Sequence, residues 1–343
     1  MFEPKFGVTP KLLENIKKIG VIVADLNNRH FSKLTLVKLE KAAREISSHS
    51  STSIEGNPLA LTDVKKIIKN KPENLRDSEK EVINYNQALE ILDKDIHSNA
   101  IKFNLDLILR IQKIVTGGLI DPFNSGKIRQ QPVFVNDPRT RKSVYLPPDH
   151  QDVRKLIDSL IKYITTNKDK IDPLILAGIF HKQFVIVHPF IDGNGRTARL
   201  ATKALLAGMG LNTFNLFSFE NYYNQNVTKY FENVGLRGSY YDLVNKVDFT
   251  AWLEYFTDGI IDELLRVSKI LKNETITPAT SLKSHDQKII DYINKNGYIA
   301  DRDYAKLTNR AKPTRNKDFN RLIDLGLIER LGKGKATFYK LKD

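Results

Sequence analysis

The residues best suited to chemistry lie in one segment that runs from His188 to Arg199. It reads His-Pro-Phe-Ile-Asp-Gly-Asn-Gly-Arg-Thr-Ala-Arg and combines a titratable base, a carboxylate, two glycines and two arginines. An imidazole such as that of His188 ionises near neutral pH and can accept a proton from a hydroxyl. Carboxylate oxygens such as those of Asp192 are ligands for Mg²⁺ in sites that also hold phosphates. These residue types suit nucleotidyl or phosphoryl transfer to a hydroxyl.

The surrounding pattern predicts a tight turn between two buried helices. Apolar residues recur at helical spacing over 171–187 and over 200–209. Pro189 ends the first helix, because its ring disfavours helical geometry in the preceding residue. Gly193 and Gly195 let a ligand approach the backbone closely. The unpaired amides at the start of the second helix then form a site for phosphate.

Two arginines follow the turn on one face of the second helix. Arg196 and Arg199 are three residues apart, so both guanidinium groups could reach the same phosphate chain. An Asp-Gly-Asn-Gly segment alone is more often a simple turn. The combination with a histidine, two arginines and two flanking helices favours the functional interpretation. The helix C-terminus at His188 would slightly favour its protonated form, with a pKa near neutrality.

Segment 188–199 resembles the signature of the Fic family, His-Pro-Phe-x-Asp/Glu-Gly-Asn-Gly-Arg-x-x-Arg, at every fixed position. The resemblance implies an all-α Fic-type helical core with a small β-hairpin flap. It also implies transfer of AMP from ATP to a Ser, Thr or Tyr hydroxyl of a target protein. The roles that it implies are a base (His188), a Mg²⁺ ligand (Asp192), a phosphate cradle (Gly193, Asn194, Gly195) and two phosphate-binding arginines (Arg196, Arg199).

A second motif lies upstream, where Ser51 precedes Glu55 and Gly56 at the end of a helical pattern that begins near Leu34. Read alone, these residues are a helix C-cap with glycine in the left-handed position. They also resemble the inhibitory motif of the Fic family, Ser/Thr-x-x-x-Glu-Gly/Asn. The resemblance implies that Glu55 pairs with Arg199 and displaces the γ-phosphate of ATP, and that Ser51 holds the inhibitory helix in place. The same glutamate could instead align a water that hydrolyses an AMP–protein bond, and the sequence leaves both directions open.

A hairpin is predicted where two β-type runs, Val133–Val135 and Ser143–Leu146, flank a polar turn. It is expected to be isolated among helices, and its exposed edges could pair with an extended peptide. The alternative is a hairpin without a function of its own. By resemblance to the family, residues 131–148 are a flap that docks the target hydroxyl. The basic residues at its tip would favour an acidic target surface (Arg139, Arg141, Lys142).

Residues 220–231 resemble the helix that lines the nucleoside pocket in the Fic family. Tyr222 and Asn226 are four residues apart, so on one helix they would share a face. The resemblance implies that this face contacts the nucleoside. Glu220 stands where the family usually has a serine, which is a departure from the pattern.

Composition limits the remaining possibilities. The chain has 343 residues and no cysteine, which excludes disulfides and thiolate metal sites and makes the cytoplasm the simplest compartment. It has no apolar run of about twenty residues and no apolar signal sequence at its start, so no membrane association is expected. The formal net charge is +14, of which residues 281–343 contribute half, with 15 Lys/Arg and 8 Asp/Glu. An excess of positive charge suggests nucleic acid as a partner.

The pattern of residues 281–343 predicts three helices followed by two short strands around a Gly-Lys-Gly-Lys turn. This order of elements resembles a winged-helix domain. Its third helix and its turn carry the basic residues that suit phosphates (Lys312, Arg315, Lys317, Arg321, Lys333, Lys335). The domain could bind DNA, or it could serve protein contact or packing of a homodimer.

The sequence thus predicts four parts. Residues 1–100 form a helical region with the inhibitory motif, 101–271 the catalytic core, 272–284 a linker and 285–343 the winged-helix domain. The predicted activity is ATP- and Mg²⁺-dependent protein adenylyl transfer, inhibited by Glu55. Phosphoryl transfer, another nucleotide donor, and a DNA-binding regulator with a nucleotide-sensing core remain as alternatives.

Overall fold

The computed structural model describes residues 2–28, 33–98, 100–136, 142–208, 216–272, 282–325 and 327–342. Within these ranges the chain is mostly helical. The helices are α1 (Pro10–Asn28), α2 (Lys33–Ile54), α3 (Leu61–Asn70), α4 (Asp77–His97), α5 (Leu105–Val115), α6 (His150–Asn167), α7 (Pro173–Val187), α8 (Asn194–Gly208), α9 (Phe219–Gln225), α10 (Val227–Val234), α11 (Tyr240–Leu243), α12 (Thr250–Lys272), α13 (Ser284–Asn296), α14 (Asp301–Leu307) and α15 (Lys312–Asp324). The strands are β1 (Val135–Asn136), β2 (Ser143–Leu146), β3 (Gly238–Ser239), β4 (Ile328–Leu331) and β5 (Phe338–Leu341).

The described residues form two compact units. One holds residues 2–28 and 39–271, and the other holds residues 33–38, 272 and 282–342. Within the described part of the first unit, no division occurs near residue 100, so α2 to α4 pack with the helices that follow them. The predicted linker at 272–284 lies largely outside the described residues.

Helices α7 and α8 form the centre of the first unit. The Asp172 side chain caps α7 by accepting from the Leu174 amide at 2.8 Å, and Pro173 occupies the first turn, where proline is favoured. Nearly every side chain of α7 and α8 is buried. Helix α7 packs against α6, α8 and α10, while α8 packs against α4, α5 and α7. The turn between the two helices is therefore held on a rigid base.

Helix α12 covers α7 through a close backbone approach at Gly178. A Cβ atom there would lie 2.5 Å from the Leu253 side chain, so only glycine allows this contact. The indole of Trp252 donates a 2.7 Å hydrogen bond to the Gly178 carbonyl. The single tryptophan of the chain is thus buried against the central helix of the first unit.

Buried charges join α2 to α8 and α9. Lys203 on α8 lies 3.1 Å from Glu220 on α9 and donates to the Ser47 hydroxyl on α2 at 2.8 Å. Glu220 also accepts from the Tyr85 hydroxyl on α4 at 2.9 Å, and all four side chains are buried. The glutamate that departs from the Fic pattern is thus the partner of a buried lysine.

The predicted hairpin is present as β1 and β2, which pair antiparallel with Val135 opposite Tyr145. It is not isolated, however, because β3 pairs parallel with β2 on the other side. The expectation of a two-stranded hairpin was therefore wrong, and β1 is the outer strand on the side away from β3. The tip residues Arg139 and Arg141 lie outside the described residues.

The second unit contains α13, α14 and α15 followed by the antiparallel pair β4–β5. Its core is apolar and draws on every one of these elements (Ile289, Ile293, Tyr304, Phe319, Leu322, Ile328, Tyr339). The rings of Phe319 and Tyr339 stack with their centroids 4.0 Å apart, which fixes α15 against β5. Across the described ranges, no helix combines the length and the apolar character that a bilayer crossing requires.

We expect Glu220→Gln to destabilise the first unit by roughly 3–5 kcal/mol, because it leaves the Lys203 ammonium buried without a carboxylate. The matched control is Asp158→Asn, which breaks an exposed pair with Arg154 and should cost less than about 1 kcal/mol. Urea unfolding followed by the fluorescence of Trp252 reports on this unit alone. Equal destabilisation by the two substitutions would contradict the prediction.

Candidate active site

The signature segment forms the turn between α7 and α8. His188 caps α7 in the left-handed conformation, with φ 50° and ψ 62°, which costs roughly 1–2 kcal/mol for a residue with a Cβ atom. The Asn194 side chain closes the loop from within. Its amide donates to the Phe190 carbonyl at 2.8 Å, and its oxygen accepts from the Phe190 amide at 2.9 Å. The side chain of Asn194 therefore shapes the turn, while α8 begins at its backbone.

The two glycines of the turn allow close approaches from other parts of the chain. Gly193 has φ +79°, a conformation that favours glycine, and it packs against Thr116. A Cβ atom at Gly195 would lie 2.1 Å from Oε1 of Glu55. The Glu55 carboxylate thus sits directly against the first turn of α8, where the helix dipole and free amides attract an anion.

Arg199 lies one turn further along α8 and is completely buried. Its Nη2 donates to Oε1 of Glu55 at 2.7 Å and to the Ser51 carbonyl at 2.9 Å. Its Nε donates to the Ser51 hydroxyl at 2.7 Å, and its Nη1 lies 3.4 Å from the Tyr230 hydroxyl. The structure therefore brings Ser51, Glu55 and Arg199 together.

Electrostatics in this cluster favour a charged Arg199. Burial acts to lower the pKa of Arg199, but Glu55 and the nearby tyrosine hydroxyls raise the pKa above its usual value. Behind it, the buried His181 contacts the Tyr230 hydroxyl at 3.0 Å through Nε2. Burial and the charge of Arg199 hold the pKa of His181 well below its usual value, so this imidazole is neutral.

Arg196 is also buried but has different partners. Its Nη2 lies 2.7 Å from Asp192, and its Nη1 lies 3.2 Å from Glu81 on α4. The other oxygen of Glu81 accepts from the Asn57 side chain at 2.7 Å. Sequence reasoning missed Glu81, since it lies 115 positions before Arg196 and carries no motif of its own.

His188 differs from the sequence-based expectation. Burial lowers the pKa of its imidazole to about 4, against smaller opposing effects from the Val185 carbonyl and from Glu55. The expected pKa near neutrality was therefore wrong, because burial outweighs the helix dipole. At pH 7 the imidazole is neutral and can accept a proton, but its lowered pKa gives less driving force for proton transfer than a pKa near 7 would.

The residues predicted to contact the nucleoside, Tyr222 and Asn226, do not share one helix. The helix expected over 220–231 is interrupted at Asn226, whose side chain accepts from the Lys229 amide at 3.0 Å and caps α10. Tyr222 packs against Tyr255 and Gly259 on α12. Among the described residues, no contact joins Tyr222 or Asn226 to the signature turn. Asparagine is a favoured N-cap residue, which explains the break.

The described residues fit a bound triphosphate with a metal ion. The Glu55 carboxylate already places a negative charge against Gly195 and Arg199, so the turn accepts anionic oxygens there. The Asp192 side chain is 44 % exposed and retains an oxygen that could ligate Mg²⁺. Together, the base, the carboxylate, the free amides of α8 and the two arginines are the groups that nucleotidyl transfer needs.

Residues 102–206 match the Fic/DOC family. The protein adenylyltransferase Fic of Nematostella vectensis is 30% identical over 166 residues, which cover 47% of this chain and 37% of the relative. The protein of the same name from Drosophila erecta is 26% identical over 185 residues, covering 53% of this chain and 36% of the relative. The chain thus spans little more than a third of the length of these relatives.

Solved structures share the fold. A Fic family protein from Desulfovibrio desulfuricans superposes with a TM-score of 0.64 at 20% identity, covering 99% of this chain and 98% of the other. Fic-1 from C. elegans gives a TM-score of 0.62 at 22% identity and covers 77% and 74%. The predicted mostly helical, Fic-type fold is therefore confirmed. This fold agrees with the match of residues 102–206 to the Fic/DOC family.

Proposed function

We propose that this chain is a protein adenylyltransferase, which transfers AMP from ATP to a Ser, Thr or Tyr hydroxyl of a target protein. The relatives named above carry this name, and residues 102–206 of this chain match the Fic/DOC family. The observation that carries the proposal is the single turn that holds a neutral histidine, a carboxylate and an amide-lined helix start beside two buried arginines. Residues 101–271 are the catalytic part of this proposal and residues 1–100 the inhibitory part.

In the proposed reaction, the neutral imidazole of His188 takes the proton of the target hydroxyl. The hydroxyl oxygen then bonds to the α-phosphorus of ATP, the bond from that phosphorus to the bridging oxygen breaks, and pyrophosphate leaves. The amides at the start of α8 with Arg196 and Arg199 hold the phosphates and stabilise the charge that moves onto pyrophosphate. Asp192 would hold Mg²⁺, which neutralises phosphate charge when bound.

The proposal includes inhibition by Glu55. Its carboxylate lies 2.7 Å from Arg199 and against Gly195, so a γ-phosphate and this carboxylate compete for the same groups. Ser51 supports the pair by accepting from Nε of Arg199. A glutamate held at the site could also align water for the reverse, de-AMPylating reaction, and the two directions remain separate possibilities.

The target would dock on the flap, residues 131–148. Because β3 pairs with β2, the outer edge of β1 is the place for an extended peptide.

Phosphoryl transfer is the alternative chemistry for the same site. Incubation with α-labelled and γ-labelled ATP separates them, since protein-bound α-label means AMP transfer and γ-label means phosphoryl transfer.

We also propose that the second unit is a winged-helix domain that binds DNA phosphates. Its support is the order of three helices and a hairpin with exposed lysines on α15 and in the turn that follows β4 (Lys312, Lys317, Lys333). Two of the residues expected to contact phosphates, Arg315 and Arg321, instead pair with carboxylates of the same unit. Arg315 forms a bidentate pair with Asp301 at 2.8 and 2.9 Å, and Arg321 lies 3.1 Å from Asp286.

His188→Ala should lower the rate of AMP transfer by roughly 10²–10⁴, the usual loss for one positioned base. The affinity for ATP should stay within severalfold, because the cradle and the arginines are unchanged. Auto-modification with α-labelled ATP measures the rate in a Glu55→Gly background, and calorimetry measures the affinity. The control is His97→Ala, which removes an exposed histidine at the end of α4. Near-parental transfer by His188→Ala would exclude His188 as the base.

Glu55→Gly should raise auto-modification by one to two orders of magnitude, equivalent to roughly 1.4–2.8 kcal/mol of relieved inhibition. The reason is that Arg199 becomes free to pair with the γ-phosphate. Glu55→Gln serves as a control for backbone effects, since it removes the charge and little volume. Rates are compared with purified proteins at saturating Mg²⁺ and ATP. If all three proteins react equally fast, Glu55 is only a helix cap.

The affinity of the protein for a DNA duplex of random sequence should fall as the salt concentration rises. A plot of log binding constant against log salt concentration should have a slope of about −2.7, from three phosphate contacts at about −0.9 each. Lys312→Ala should make the slope shallower by about 0.9. Arg315→Ala should leave it unchanged, because that arginine is paired with Asp301. Fluorescence anisotropy over a salt series measures the slopes. Absence of binding at low salt would leave protein contact or dimer packing as the role of this unit.

A further inference from the structure

A buried arginine, Arg129, contacts the signature turn from outside the motif. It precedes β1, and its residue is only 2 % exposed. Its backbone amide donates to the Pro189 carbonyl at 2.9 Å, and its Nε donates to the His188 carbonyl at 2.9 Å. Two successive carbonyls at the end of α7 thus accept hydrogen bonds from one residue.

The rest of the same guanidinium holds both ends of the hairpin. Its Nη1 donates to the Gln131 carbonyl at 3.1 Å, and its Nη2 donates to the Pro148 carbonyl at 2.6 Å. Gln131 precedes β1, and Pro148 follows β2. Arg129 therefore connects the turn that carries His188 to the two segments from which the hairpin emerges.

The partners of Arg129 are backbone carbonyls rather than carboxylates. Among the described residues, no Asp or Glu forms an ion pair with its guanidinium within 4 Å, so its hydrogen-bond partners are peptide carbonyls, and Asp149 acts on its charge only from a longer distance. A guanidinium offers five donors in a fixed planar fork, and hydrogen bonds from a charged donor are stronger than neutral ones. Lysine lacks the planar fork and glutamine the charge, so neither can replace all three side-chain contacts in this geometry.

A second hydrogen bond connects the hairpin to α7. The Tyr145 hydroxyl on β2 donates to the Ile186 carbonyl at 3.0 Å, two residues before His188. His188 itself has left-handed backbone angles, which persist only where surrounding contacts hold them. The carbonyl of this strained residue is the one that Nε of Arg129 binds.

We propose that Arg129 is a positioning residue for the transfer reaction. It fixes the backbone of His188 relative to the hairpin, and so sets the imidazole against the hydroxyl of a target docked there. This inference rests on the proposed function, since it concerns the alignment of base and target. Arg129 touches neither the first turn of α8 nor Arg199 in the described structure, so ATP binding should not depend on it.

The test uses Arg129→Gln and Arg129→Lys in the full chain with Glu55→Gly as the parent. Auto-modification with α-labelled ATP is measured over a range of ATP concentrations. We expect kcat to fall by roughly 10- to 100-fold for Arg129→Gln, since small misplacements of reacting groups have effects of this size. Arg129→Lys should lose less, and half-saturating ATP should change by less than about threefold in both.

The matched control is Arg154→Gln, which removes the same charge from an exposed arginine paired with Asp158. It should leave kcat unchanged. Hydrogen exchange provides a second readout. In Arg129→Gln, amides of residues 142–146 should exchange faster, while those of α8 keep the parental rate.

The outcomes separate the two proposals. Absence of α-label transfer by the parent overturns the proposed function, and the role of Arg129 with it. Transfer by the parent with equal kcat in Arg129→Gln overturns only the role of Arg129. A rise in half-saturating ATP with unchanged kcat also overturns it, because it would place Arg129 in nucleotide binding. If faster exchange throughout the chain shows that Arg129→Gln is unfolded, Arg129→Lys decides by the same criteria.

Discussion

The site depends on a fully buried guanidinium, that of Arg199, which is paired with the carboxylate of Glu55 in this structure. A buried charge that loses its partner destabilises a protein by several kcal/mol. In this structure Glu55 supplies the charge, and Ser51 satisfies two further hydrogen-bond donors. In the proposed reaction a phosphate takes the place of the carboxylate. Inhibition is then an exchange of one anion for another at a cation that stays charged.

The contacts of α2 suggest that this exchange is local. Ser47 faces Lys203 and Ser51 faces Arg199, so polar residues one turn apart on α2 meet cations one turn apart on α8. Glu55 lies just beyond Ile54, the last residue of α2, and precedes Gly56 at φ +95°. The carboxylate can therefore leave Arg199 by a change at the helix end, while the buried contacts of Ser47 and Lys203 hold the rest of α2 in place.

The structural elements that depend on local sequence patterns could be predicted from the sequence. The features that depend on contacts between residues distant in the sequence could not. The turn between α7 and α8 follows from apolar periodicity, Pro189 and the glycines. By contrast, β3 has two residues and no strand pattern, and it is defined only by pairing with β2. The low pKa of His188 follows from burial, which no neighbour in sequence reveals. The spacing over 220–231 predicts one helix, but asparagine is also a favoured N-cap residue, and the structure follows this preference at Asn226.

The two signature arginines are not equivalent, and the difference bears on how a triphosphate could enter. Arg196 is shared between Asp192 in its own turn and Glu81 on α4, whereas Arg199 has Glu55 as its only carboxylate partner among the described residues. Glu81 also holds Asn57, two residues after Glu55. A phosphate that approaches Arg196 would therefore compete with Asp192 and Glu81, whereas one that approaches Arg199 would compete with Glu55 alone.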